Sequence, residues 1–294
     1  MAASRLQVWI LASRPKTLWA AIAPVIIGTA MAYADDSQHW LAAIAALFGA
    51  VMIQIGTNFT NDYFDYTKGT DTHERIGPVR VTQAGLVKPA IMKRAILIVF
   101  GLAFLAGTYL VWRGGLPIMA VGLMSILFGV LYTAGPFPLG YYGLGDIFVF
   151  IFFGIVAVGG TYFVQALDIV PETLIAGAAP GFWSVAILTV NNLRDIDNDR
   201  KGVKRTLAAR FGRTFARAEY VACVVAACLI PAALVAITGE HPVVLVASAT
   251  LLAAVPTLKI VLTKTDGPAL NSALAATGKL LLLYSVLFTI GWIV

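Results

Sequence analysis

Nine apolar stretches, each about twenty residues long, dominate this chain: about 17–34, 40–61, 92–112, 116–133, 146–166, 173–193, 218–238, 242–263 and 272–293. A bilayer core takes roughly 20 apolar residues of helix to cross. In lipid, a helix or a closed barrel is needed to satisfy the backbone. Segments of this length therefore predict an all-α, polytopic membrane protein of nine transmembrane helices. Composition agrees, since 59% of the 294 residues are hydrophobic and only 12% are charged, about half the share usual in soluble domains. Cys223 and Cys228 lie in one apolar stretch and read as packing residues, without a disulfide or metal pattern. Arg14 and Lys16 precede the first apolar run without a small-residue cleavage site, so it reads as a first helix and not a cleaved signal. Membrane lipid is an expected partner, and nucleic acid is not.

The links between stretches carry the orientation. With the N-terminus inside, all of the 21 Lys and Arg residues except Arg113 and Lys279 fall on one side. Positive charge marks that side as cytoplasmic. The acids Asp35, Asp36, Asp168, Glu172 and Glu240 occupy the opposite links. The expectation is a single domain over residues 1–294 in the plasma (inner) membrane, with the C-terminus outside. Its long polar loops, about 62–93 and 194–217, are expected in the cytoplasm.

Charge is costly in such a chain and tends to mark function. Two acidic clusters stand out. In NFTNDYFDYTKGTD (58–71), Asn58, Asp62 and Asp65 are spaced i, i+4, i+7, with Asn61 beside them and Asp71 beyond. In NNLRDIDNDRKGVKR (191–205), Asn191, Asp195 and Asp199 are spaced i, i+4, i+8, with Asn192 alongside; Asp197 falls off that face. One such cluster is commonly a helix end or a turn. Two with matched spacing, at the cytoplasmic ends of even-numbered helices, are predicted to meet across one cavity. Converging carboxylates repel unless a cation joins them. An oxygen-only set without His or Cys suits Mg²⁺, which binds through a few carboxylates together with substrate phosphates. Arg194, Arg200, Lys201, Lys204 and Arg205 supply the counter-charge a diphosphate would take.

These two stretches, the second continuing as TLAARFG, resemble the Asp-rich motifs of the UbiA superfamily of intramembrane prenyltransferases. Three further stretches, SRPKTLWAAIAPVIIGTA, GPVRVTQAGLVKP and LYTAGPFPLGYYGLGDIFVFIFFG, are similar to its menaquinone-synthesis branch, which prenylates 1,4-dihydroxy-2-naphthoate. The likeness runs from about Arg14 to Gly212. Enzymes acting on 4-hydroxybenzoate usually carry Tyr-Pro-x-x-Lys after the fourth helix; here Tyr132 is followed by TAGPFPLGYYG, with no Lys. The resemblance implies helices around a central cavity open at the cytoplasmic side. It also implies two Mg²⁺ held by Asp62, Asp65, Asp195 and Asp199, with Asp71 as a turn or outer metal contact. The substrates would be a polyprenyl diphosphate and an aromatic acid that loses CO₂.

Other residues are assigned around that frame. Lys201 and Arg205 are expected on the departing diphosphate, with Asn58, Asn61, Asn191, Asn192 and Arg194 as polar contacts. Arg14, Lys16 and Arg80 either bind the acceptor carboxylate or serve only as inside charges. Asp146 is either a helix-terminus charge or a hydroxyl-orienting group. Lys279, inside the last helix, is expected to face the cavity. Tyr132, with Tyr63, Phe137, Tyr141 and Phe148, either faces a carbocation or simply packs. The rival class, an ion-coupled transporter, would place acids near mid-bilayer and show an internal repeat; here the acids lie at the boundary, trailed by bases. Within the enzyme class, homogentisate, 4-hydroxybenzoate and a lipid alcohol are the alternative acceptors.

Overall fold

Glycine and proline decide where these helices start, bend and return. The computed structural model describes residues 4–69, 77, 79–202 and 204–294, and all regular structure among them is helical. Asp71 and Arg75 lie outside the described residues. A short helix unannounced by hydropathy comes first, α1 (Arg5–Ser13). Its start is a capping box: Ser4 Oγ accepts the Gln7 N–H while Gln7 Oε1 accepts the Ser4 N–H. Arg14, in the left-handed region at φ 52°, turns the chain into α2 (Pro15–Ala34), whose first residue is a proline.

α3 (Trp40–Thr67) is followed by α4 (Pro89–Leu131), whose 43 residues would span roughly 65 Å if straight, about twice a bilayer core. It is not straight. Gly115, at φ 70° and ψ −156°, breaks it just before Pro117. Phe100 packs on Gly56 and Thr57 packs on Gly129, so both halves of α4 lie beside the same turn of α3. The chain has folded back on itself. Among the described residues eight helical segments are long and apolar enough to cross a membrane, one fewer than expected. The ninth crossing is the return half of α4.

α5 (Gly145–Phe150) runs through one π-helical stretch, Ile151–Val156, into α6 (Ala157–Ala166). α7 (Pro171–Lys201), α8 (Leu207–Thr238), α9 (Thr250–Thr263) and α10 (Gly267–Ile293) complete the bundle. α3 and α7 both outrun their expected ends. Much of what reads as the second polar loop is therefore helix, interrupted between Lys201 and Leu207 and bent again at Gly212 (φ 91°). Both acidic motifs ride on helix, which gives their spacing a real face.

α7 lies at the centre, packed by α2, α5, α8 and α10. The largest fully buried side chains on this side include Trp183, Tyr220, Tyr284 and Phe288. A smaller core joins α1, α3 and the segment before α4 through Val8, Phe59, Val81 and Met92. At the end remote from the acids, Arg113 donates to the carbonyls of Val164 and Gln165, closing the C-terminus of α6. Close approach of α7 to the π stretch depends on bare backbone: a Cβ on Gly154 would stand 2.5 Å from the Gly177 carbonyl oxygen. Gly154→Ala is accordingly expected to cost about 1–3 kcal/mol by overpacking, read as a lower thermal midpoint of the detergent-purified protein.

Candidate active site

A cavity of about 610 Å³ separates α3 and α4 from α7 and is closed at its sides by α2, α5 and α6. Its depth is apolar. Phe128, Phe148 and Phe152 cluster there, with ring centroids 4.7–6.3 Å apart. Its mouth is polar, where α3 and α7 end and α2 begins.

On the α3 wall, Gln54, Asn58, Asn61 and Asp65 form one stripe facing the cavity. Asn58 donates to the Ser13 carbonyl (2.9 Å) and to Thr17 Oγ1 (3.3 Å), tying α3 to the start of α2. Asn61 is hydrogen-bonded by the Thr133 hydroxyl. Asp65 is 1% exposed with both oxygens in contact: Arg80 donates at 2.6 Å, the Tyr141 hydroxyl donates to its other oxygen, and Lys204 Nζ stands at 3.3 Å. The Tyr141 ring carries Lys68 and Lys204, each about 5 Å from its centroid (5.2 and 4.9 Å). Lys68 also donates to the carbonyls of Thr133 and Gly135. Burial lowers the Lys68 ammonium pKa below its usual value; Asp65 opposes that shift and Lys204 adds to it.

On the α7 wall, Asn191, Asn192, Asp195 and Asp199 face the same cavity. Arg194 lies behind them with its side chain fully buried. It grips both oxygens of Asp195 (2.8 and 2.6 Å) and donates to Asn191 (2.8 Å) and Asn271 (2.7 Å). Thr206 donates to Asp199 at 3.4 Å.

Several sequence-based assignments are corrected by this geometry. Asp62 does not line the cavity; it sits about 60° round α3 from Asp65, and its carboxylate accepts the backbone N–H groups of Val81 and Thr82. Lys201 and Arg205 are exposed and do not border the cavity; the base that does is Lys204, beyond the bend at Gly202. Lys16 is exposed, whereas Arg14 beside it lines the cavity. Lys279 is exposed as well, because the buried face of α10 runs through Leu270, Leu274, Thr277, Leu281 and Tyr284, and position 279 falls off it. Its long stem lets the ammonium reach the interface. Asp146 is buried behind the cavity wall, beside the hydroxyl end of Tyr132, which packs on Gly145 and does line the cavity. Arg80, Tyr132, Tyr141 and Phe148 line the cavity; Tyr63 and Phe137 do not. Asp197 is exposed and paired with Arg213 at 2.6 Å.

Two roles were not distinguished in the sequence. Lys204 is one of several bases in a row, and the sequence points to the ring of Tyr141 but not to its hydroxyl. Neither carries a local signal, since each is placed by a turn.

The fold and site thus define an integral membrane protein with an apolar cavity whose mouth is ringed by buried and half-buried acids and bases. Residues 21–280 match the UbiA prenyltransferase family, and the chain belongs to that family. It is 38% identical to the 1,4-dihydroxy-2-naphthoate octaprenyltransferase of Escherichia coli, across 98% of this chain and 96% of that relative. It is 42% identical to the protein of the same description in Mycobacterium tuberculosis, across 72% of each. Its fold is that of a UbiA homolog from Archaeoglobus fulgidus solved with DMAPP and Mg²⁺, with TM-score 0.69 at 14% identity over 97% of this chain and 98% of that one.

Removing Arg194 would leave Asp195, Asn191 and Asn271 without their common partner. Breaking one side of a buried ion pair costs roughly 3–5 kcal/mol. Arg194→Ala is expected to show that loss as a much lower unfolding temperature and poor recovery from detergent.

Proposed function

We propose that the whole chain acts as one prenyltransferase unit. It transfers a polyprenyl group from a polyprenyl diphosphate to 1,4-dihydroxy-2-naphthoate, with loss of CO₂, in menaquinone biosynthesis. The observation that carries this reading is the polarity of the cavity: a phenylalanine-lined depth suited to an isoprenoid leads to a mouth where Asp65 faces Asp195 and Asp199. The names of the relatives support the naphthoate as acceptor. The mouth is proposed to face the cytoplasm in the plasma membrane, with the C-terminus outside, on the distribution of Lys and Arg.

The donor set fits Mg²⁺, for which two ions are proposed. Carboxylates and amides from two helices supply hard oxygen ligands, and no His or Cys lines the mouth among the described residues. Among the described residues no three acids are grouped closely enough to hold an ion alone, so diphosphate oxygens would complete the ligand sets. Asp65, Asp195 and Asp199, with Asn61 and Asn191, are the residues proposed to hold the ions; Asp71 is proposed as an outer contact. When bound, Mg²⁺ supplies Lewis-acid neutralisation of the leaving diphosphate.

The chain's own residues do the rest. Arg80, Lys204 and Lys68 hold positive charge where the diphosphate oxygens gather, preorganised by Asp65 and the Tyr141 ring. The C–O bond of the donor breaks with its electron pair on the diphosphate. The apolar depth keeps water from the allylic cation, and the Phe128, Phe148 and Phe152 rings offer it π faces. A ring carbon of the acceptor forms the new C–C bond, and departure of CO₂ returns the bonding pair to the aromatic system. Arg14 is proposed to hold the acceptor carboxylate at the mouth and Tyr132 to contact its hydroxyl, with Asp146 behind that tyrosine.

The test incubates purified protein with Mg²⁺, a prenyl diphosphate and either dihydroxynaphthoate or 4-hydroxybenzoate, and weighs the products. The expected product is prenylated naphthoate less CO₂, absent when metal is chelated; a product from 4-hydroxybenzoate alone would overturn the acceptor. Asp195→Ala is expected to lower kcat by about 10²–10³-fold or more under the same assay. Lys204→Gln and Lys201→Gln form a second, matched comparison. Loss of the cavity-facing charge is expected to reduce kcat/KM by roughly tenfold or more, while loss of the exposed one leaves it near wild type.

A further inference from the structure

Asp62 stands apart from the other acids of its motif. It is 2% exposed, and both oxygens are engaged by backbone: Oδ2 accepts the Val81 N–H and Oδ1 the Thr82 N–H, each at 3.0 Å. Those two amides open a tight turn. The Ala84 N–H reaches the Arg80 carbonyl (2.9 Å), the Gly85 N–H that of Thr82 (3.1 Å), and the Leu86 N–H that of Val81 (2.9 Å). Gly85, at φ 70°, permits the reversal. Val81 is fully buried in the same core as Phe59 and Met92, so the turn is seated on α3 by packing as well as by hydrogen bonds.

The residue immediately before these amides is Arg80, which donates to Asp65 at 2.6 Å. Two acids three residues apart on α3 therefore hold one turn from both sides. Asp62 grips its backbone and Asp65 receives its guanidinium. A metal ligand must aim its lone pairs at the ion. Those of Asp62 accept the backbone N–H groups of the turn, and Asp62, unlike Asp65, Asp195 and Asp199, does not border the cavity.

We infer that Asp62 is a positioning residue, which holds Arg80 where it meets the diphosphate end of the substrate, and is not a metal ligand. The identity of that ligand rests on the prenyl diphosphate reading above; the anchor itself rests only on the turn.

Three measurements test it on the full-length protein in detergent, with DMAPP and Mg²⁺ as probes. In metal-free protein, Asp62→Asn keeps one acceptor oxygen and sets an amide group against the other N–H. Hydrogen exchange across 79–87 is expected to quicken by about tenfold, the scale of one lost charge-assisted hydrogen bond. In turnover, the KM for DMAPP is expected to rise by a similar factor while half-saturating Mg²⁺ stays within about twofold, because Arg80 and not the metal set is displaced. In an Arg80→Gln background the same change is expected to add nothing further to KM, as for two residues acting through one contact. A tenfold rise in half-saturating Mg²⁺ with unchanged exchange at 79–87 would overturn the assignment. Should Asp62→Asn fail to accumulate, wild-type protein decides the matter. Val81 and Thr82 amides that stay protected on adding Mg²⁺ support the anchor, and amides that become exposed refute it. Turnover of 4-hydroxybenzoate in place of the naphthoate would revise the acceptor and leave this assignment standing.

Discussion

A carboxylate withdrawn from water at the rim of a bilayer has to meet a cation or lose its charge. Much of the mouth of this protein is arranged around that requirement. Asp65 meets Arg80 and Lys204; Asp195 meets Arg194. The Asp65 pairings draw the segments before α4 and before α8 onto α3, whereas Arg194, beside Asp195 on α7, carries the link to α10 through its own bond to Asn271. The acids thus organise the local fold as well as the proposed chemistry. The two roles share a logic, because bases already held in place by the acids receive a polyanion with little rearrangement.

The same requirement explains why α3 and α7 continue past the apolar stretches that begin them. An acid in a flexible loop would be hydrated and directionless. On a helical extension it keeps a fixed face, and the spacing of the motifs becomes a pair of opposed walls. α2 is brought to the same place by the left-handed Arg14, which lets the short α1 pack on α3 while Arg14 itself lines the cavity.

What the sequence disclosed follows from the range of the forces involved. Hydropathy is local, so the crossings and the fold-back near Gly115 are legible in it. Helical spacing is local too, and it correctly grouped Asn58 with Asp65 and Asn191 with Asp195 and Asp199. Direction around a helix was not legible where a tertiary partner decides it. Asp62 shares the motif's spacing but answers to backbone amides about twenty residues onward. A base inside a span is unusual and suggests that Lys279 faces inward, yet the packing stripe of α10 excludes it. Lys204 could be told from Lys201 and Arg205 only after the turn at Gly202 had been placed. α1 gives no hydropathy signal because nine residues are too short for a spanning window, although its capping box is written in Ser4 and Gln7.

The π stretch in the fifth crossing has a geometric consequence. On a regular helix, side chains at every fourth position slide round the axis by about 40° per step, so such a row soon turns away from whatever it faces. Phe148, Phe152, Val156, Gly160 and Val164 are such a row, and all of them border the cavity. The wider winding between Ile151 and Val156 takes up much of that slide. One crossing thereby presents a long straight strip instead of a spiral, a surface shaped to lie alongside an extended hydrocarbon.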